Sequence, residues 1–242
     1  MKKSLLIVGL LMAMTMTANA QGKGFSFGFK VGPNLNWTGS PTLTAEREGS
    51  RMGLDLGLVA EYYFDDNYAI VSGVNVGFLG GHYSFDNATE KDTLGNPDIF
   101  RVDRIYKNTI YEIPLMLKMV TNELGNLPLR VYAQVGAGVG YVPQKVKVKD
   151  AIGDAAVPSD WSITDGEYNP FRVSLKVGGG AQYALDESTR LFAGLYFSHD
   201  FLNNIAPGKY RNYYNGDKEV GERDPKLKVL QNRIGLEVGV LF

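Results

Sequence analysis

The chain contains no cysteine among its 242 residues. That excludes a disulfide framework, a thiolate metal site, a cysteine nucleophile and a lipid anchor on a new N-terminal Cys. Histidine is nearly as scarce: His82 and His199 are the whole supply. Beyond residue 20 there is no run of twenty consecutive apolar residues, so no helix of this chain can span a bilayer. Neither charge sign dominates. The formal net charge is −1, and taking away Lys2 and Lys3 leaves 23 basic against 26 acidic residues, or −3. That balance gives no reason to invoke nucleic acid. A membrane barrel survives all these absences, because its apolar residues alternate with polar ones and escape hydropathy plots.

The front of the chain carries Lys2 and Lys3, an apolar run from Leu5 to about Met14, and Ala18-Asn19-Ala20, which has the form of an A-x-A cleavage site. This predicts a secretory signal over 1–20, removed after Ala20. A single domain over 21–242 is the expected mature protein.

What the sequence has in abundance is alternation. Eight segments show period two. In the first, Phe25, Phe27, Phe29, Val31, Leu35 and Trp37 oppose Ser26, Gly28, Lys30, Gly32, Asn34 and Asn36. The second sets Leu54, Leu56, Leu58, Tyr62 and Phe64 against Asp55, Gly57 and Glu61. The third, from Ile70 to Phe78, is noisier, while the fourth sets Tyr111, Ile113, Leu115, Leu117 and Met119 against Glu112, Pro114 and Lys118. The remaining four run over 129–141, 171–185, 190–200 and 233–242.

The apolar faces contain no charged residue. The opposite faces contain Lys30, Asp55, Glu61, Glu112, Lys118, Arg130, Arg172, Lys176, Arg190, Asp200, Arg233 and Glu237. A soluble barrel would scatter charges over its outside, whereas a barrel in lipid must enclose them. The links alternate too: those after the second, fourth and sixth segments are short, and those at about 38–50, 86–104, 149–169 and 203–226 are long and polar. Short turns in the periplasm and long loops outside predict an all-β, eight-stranded antiparallel up-and-down transmembrane β-barrel in a bacterial outer membrane. Phe25, Trp37, Phe64, Tyr111, Tyr141, Phe171, Tyr183 and Phe242 fall near strand ends and suit its two aromatic girdles.

The chain resembles the PorT-type family of outer-membrane β-barrel proteins. The resemblance rests on Gly28-Phe29-Lys30-Val31-Gly32-Pro33-Asn34-Leu35-Asn36, on Tyr111-Glu112-Ile113-Pro114-Leu115-Met116-Leu117-Lys118, on Val135-Gly136-Ala137-Gly138-Val139-Gly140-Tyr141, and on the terminal Phe242. It implies a small barrel inserted by the outer-membrane assembly machinery, with Phe242 as the aromatic assembly signal. It also implies a link to protein secretion, with which the founding member is associated. No catalytic residue is carried over.

The twelve charges are the candidate site, a network that fills the lumen by pairing across it. Gly136-x-Gly138-x-Gly140 is not a phosphate loop, because no helix follows it; spaced at every second residue, these glycines share the lumen face. The loop acids lack the offsets of a calcium loop, so neither metal nor cofactor is expected. The expected function is that of a non-enzymatic scaffold or binding protein. Its partners would be outer-membrane lipid and lipopolysaccharide, and a protein partner at the extracellular loops. The first alternative is a narrow passive channel; the second is a rim enzyme using His199 and Asp200.

Overall fold

The computed structural model describes residues 24–39, 45–91, 97–143, 145–152, 158–205, 213–214, 219–220 and 228–242. The expected signal segment and its cleavage after Ala20 lie outside the described residues, as do Asp92, Asp154, Asp217, Glu222 and Asp224 of the loops. All regular structure among the described residues is β. The strands are β1 (Phe25–Gly39), β2 (Ala45–Asp65), β3 (Tyr68–Lys91), β4 (Pro97–Val120), β5 (Leu129–Tyr141), β6 (Val146–Ile152), β7 (Ser162–Thr164), β8 (Phe171–Ala184), β9 (Arg190–Asp200), β10 (Tyr213–Tyr214), β11 (Glu219–Val220) and β12 (Leu230–Leu241).

Eight of these close a ring in the order β3-β2-β1-β12-β9-β8-β5-β4, with β4 pairing back onto β3. Every pairing is antiparallel. Closure leaves no edge along the wall, which a sheet in hydrocarbon requires because an unpaired N–H or C=O has no water to turn to. The ring is sealed at the ends of the chain by β1 and β12, which run in unbroken register from Asn34 opposite Gly235 to Gly39 opposite Leu230.

The outward face is a continuous apolar band. Phe25, Phe29, Leu58, Ile70, Leu115, Val135, Val177, Leu195 and Val238 are all exposed on it. On β1 it runs from Phe25 to Leu35, ten steps of a tilted strand or about 25 Å, the height of an outer-membrane hydrocarbon layer. Tyr62, Phe64, Tyr68 and Tyr183 fringe the band at the short-turn end; Tyr111, Tyr141 and Phe171 fringe it at the other.

The two ends of the barrel differ. At the short-turn end, the Asn67 amide donates to the Val120 carbonyl (2.7 Å) and the Arg130 guanidinium to the carbonyls of Thr121 (2.7 Å) and Asp66 (2.6 Å), so neighbouring turns brace one another. At the other end, β3 and β4 run far past the band. The sequence reads 86–104 as loop, but both strands continue through most of it, pairing from Leu79 opposite Asn108 to Lys91 opposite Pro97. β6 then joins this extension alongside residues 102–107 of β4. Tyr83, Phe85, Val102, Tyr106, Val146, Val148, Tyr168, Ile205 and Val229 form an apolar core there.

Outside the band a small ionic clasp holds the extension. Arg101 donates to Glu46 (2.6 Å), Glu48 (2.8 Å) and the Ser84 hydroxyl (2.5 Å). The Ser84 hydroxyl bond and then the Arg101 bond hold the Glu48 carboxyl below its ordinary value of 4.5. A depressed carboxyl contributes stability that is present above the ordinary value and lost as the pH falls through the lowered one.

Two outcomes are expected. Leu115→Arg, midway between Tyr111 and Met119 on the lipid face, should cost about 2–4 kcal/mol in unfolding from lipid vesicles; a change below about 0.5 kcal/mol would count against the band. Protection of amides around Tyr83 and Ser84, corrected for intrinsic exchange rate, should fall as the pH is lowered from about 6 to about 3. Constant protection would exclude the clasp as their anchor.

Candidate functional site

The inward positions of β4, taken from the short-turn end, are Val120, Lys118, Met116, Pro114, Glu112, Ile110, Asn108, Tyr106, Arg104 and Val102, and every one is buried. Charge and hydrocarbon therefore alternate up the lumen. A closed ring of eight strands has an interior only as wide as its own side chains, so these groups meet across it.

Near the short-turn end Lys118 pairs with Glu61 (2.5 Å), and its ammonium lies 4.4 Å from the centre of the Tyr132 ring. Tyr63 donates to the second Glu61 oxygen (3.0 Å). Midway, Lys30 pairs with Glu237 (3.3 Å), which also accepts from Tyr132 (3.2 Å) and Gln134 (2.8 Å). Higher up, Glu112 is gripped by Lys176 on one side and Arg233 on the other (3.0 Å), with Asn75 at 3.4 Å. Arg233 continues to Asp55 (3.2 Å), which accepts from Tyr196. Above these, Arg172 pairs with Asp200 (2.8 Å).

The structure thus brings ten of the twelve sequence-predicted residues into ion pairs. Arg190 lies at the mouth, donating to Tyr63 (3.2 Å) and Ser26. Arg130 stands apart: it is part of the turn bracing described above rather than of the lumen network. Phe242 pairs with Phe27 through two backbone bonds and exposes its ring on the outer face. Tyr63, Tyr132, Tyr196, Gln134 and Asn75 complete the network without having been singled out; their place on the inward alternation was the available signal.

Glycines make the crossing possible. A Cβ on Gly138 would come within 3.0 Å of the Glu112 carboxyl, and one on Gly140 within 2.6 Å of Ile110. Large rings lie over glycines directly opposite them: Phe192 over Gly239, Tyr196 over Gly235, Tyr106 over Gly81. The space left between Lys30, Glu61, Asn75, Lys118, Lys176 and Glu237 is a cavity of about 40 Å³, room for roughly three or four waters at about 10–15 Å³ each.

The two histidines are kept apart. His82 on β3 and His199 on β9 are four strands from each other in a ring of eight, on opposite sides of the barrel. His199 meets Asn232 (2.6 Å) on the outer face, while Asp200 turns inward to Arg172. No group of three metal-ligating His, Asp or Glu side chains occurs among the described residues.

Residues 18–207 match the family model described as outer membrane protein beta-barrel domain. The chain belongs to that family. It is an outer-membrane β-barrel protein, and the match does not single out PorT-type members. Among solved structures it is similar to Neisserial surface protein A (14% identity, 90% of this chain and 96% of that chain, TM-score 0.40). It is also similar to the attachment invasion locus protein Ail of Yersinia pestis (12%, 91% and 100%, 0.35) and to the N-terminal β-barrel domain of Pseudomonas aeruginosa OprF (12%, 92% and 100%, 0.39). No curated protein sequence matches it.

Removing one member of a buried ion pair strands the other. Glu112→Leu should therefore cost about 3–5 kcal/mol, and Glu112→Leu with Lys176→Met should recover much of the loss, since Arg233 keeps Asp55. Urea unfolding in lipid vesicles measures both. Equal destabilisation by the single and double variants would show that the pair does not couple.

Proposed function

We propose that this outer-membrane barrel is a non-enzymatic scaffold or binding protein that works through its extracellular end. The mature chain would run over 21–242 after cleavage at Ala20. Its role would resemble that of PorT-type relatives associated with secretion, with the outward ring of Phe242 engaging the assembly machinery.

The observation that carries this reading is the occupied lumen. Ion pairs span the interior, and the space they border between Lys30, Glu61 and Lys176 is a cavity of about 40 Å³. A solute would have to break a doubly held carboxylate such as Glu112 in order to pass. The separation of His82 from His199, and of His199 from the inward Asp200, supports a role without catalysis. What is left to meet a partner is the extension of β3 and β4 with β6 and β7, where Ile163 stands exposed.

Refolded protein in planar bilayers should give no steady conductance, and a photo-crosslinker at position 163 in intact cells should yield a discrete protein adduct. Reproducible conductance steps would favour a channel. Silence in both measurements would remove the scaffold reading.

A further inference from the structure

Just beyond the aromatic fringe the wall carries an unusual concentration of positive charge. Lys145, just before β6, and Lys147 and Lys149 within it occupy alternate positions, while Val146 and Val148 between them are buried. Lys147 stands directly opposite Lys107 of β4, and Lys149 opposite Ile105. Like charges directly opposed across an antiparallel pair are destabilising. Three cations also converge on one indole: Lys107 lies 4.4 Å, Lys149 5.0 Å and Arg51 5.8 Å from the centre of the Trp161 ring.

Neighbouring arginines are treated differently. Arg101 is held by two carboxylates, and so is Arg104, by Asp150 (2.7 Å) and Glu167 (2.7 Å). Among the described residues no carboxylate forms an ion pair with Arg51, Lys107, Lys147 or Lys149. Lys149 donates to the Ser159 carbonyl (2.5 Å), a neutral acceptor. A repulsive arrangement with no ion pair among the described residues is matched to an external anion.

Its level identifies the anion. Lys107 lies four residues beyond the fringe residue Tyr111 on the same outward face, about 10 Å along a tilted strand, which is the depth of a headgroup layer. We infer that Lys107, Lys147, Lys149 and Arg51, backed by Trp161, form a binding site for the phosphate groups of a phosphorylated glycolipid in the outer leaflet. Trp161 supplies an amphipathic ring suited to the interface and holds the Lys107 and Lys149 ammonium groups close to its centre. The site rests on the outer-membrane placement and stands whether or not the lumen conducts.

The test uses the full chain in detergent with Trp37→Phe, which leaves Trp161 as the only one of the two tryptophans, so that its fluorescence reports on the patch. Bisphosphorylated lipid A should give a saturable change, weakened by salt. Lys107→Glu with Lys149→Glu should lower the affinity about tenfold or more. Lys107→Gln with Lys149→Gln, checked for folding by the mobility difference between boiled and unboiled samples, should lower it less. Dephosphorylated lipid A and inorganic phosphate should each fail to saturate. Unchanged affinity in both double variants, or equal binding of dephosphorylated lipid A or inorganic phosphate, would overturn the site.

Discussion

A wall standing in hydrocarbon cannot turn an ammonium or a carboxylate outward, and an eight-stranded ring cannot offer one bulk water inside. Inward charges must therefore find their partners within the cross-section of the barrel. Lys118 finds Glu61, Lys30 finds Glu237, and Glu112 finds both Lys176 and Arg233. Lys30 and Glu237 sit on paired strands, but others join strands that are not neighbours in the ring: Glu112 is on β4 and Arg233 on β12. The backbone ladder ties each strand to the next, whereas the Glu112–Arg233 pair ties opposite walls together.

Such pairing works only if the side chains reach across without collision. Here the glycines matter as much as the charges. Where β5 presents Gly138, the carboxyl of Glu112 lies close against the backbone, and where β12 presents Gly235, the Tyr196 ring lies flat over it and delivers its hydroxyl to Asp55. Each large group has been given a small one beside it, so the interior is filled without spreading the strands.

The faces of the barrel were legible in the sequence because period two survives wherever one side meets lipid and the other a charged lumen. The alternation of short and long links was legible for a related reason, since turns rich in Asp, Asn, Gly and Pro announce themselves. Partnership was not legible: that Glu237 meets Lys30 rather than Lys176 depends on stagger between strands distant in sequence. Arg130 shares the inward alternation, yet the strand ends there and its guanidinium reaches the turns instead. The overhang of β3 was hidden because Tyr83, Ser84 and Phe85 are buried consecutively. With both faces covered, the two-residue rhythm disappears and the segment passes for a loop. Trp161 gave no signal at all, since its neighbours come from three separate strands.

The unequal strands give the molecule a heading. β3 and β4 have 24 residues each, whereas β9 has 11 and β12 has 12. The strands of the ring therefore form a wall taller along β3 and β4 than along β9 and β12, cut like the nib of a quill. The strand wall thus has a flank rather than a symmetric collar, and turning the barrel about the membrane normal turns that flank with it.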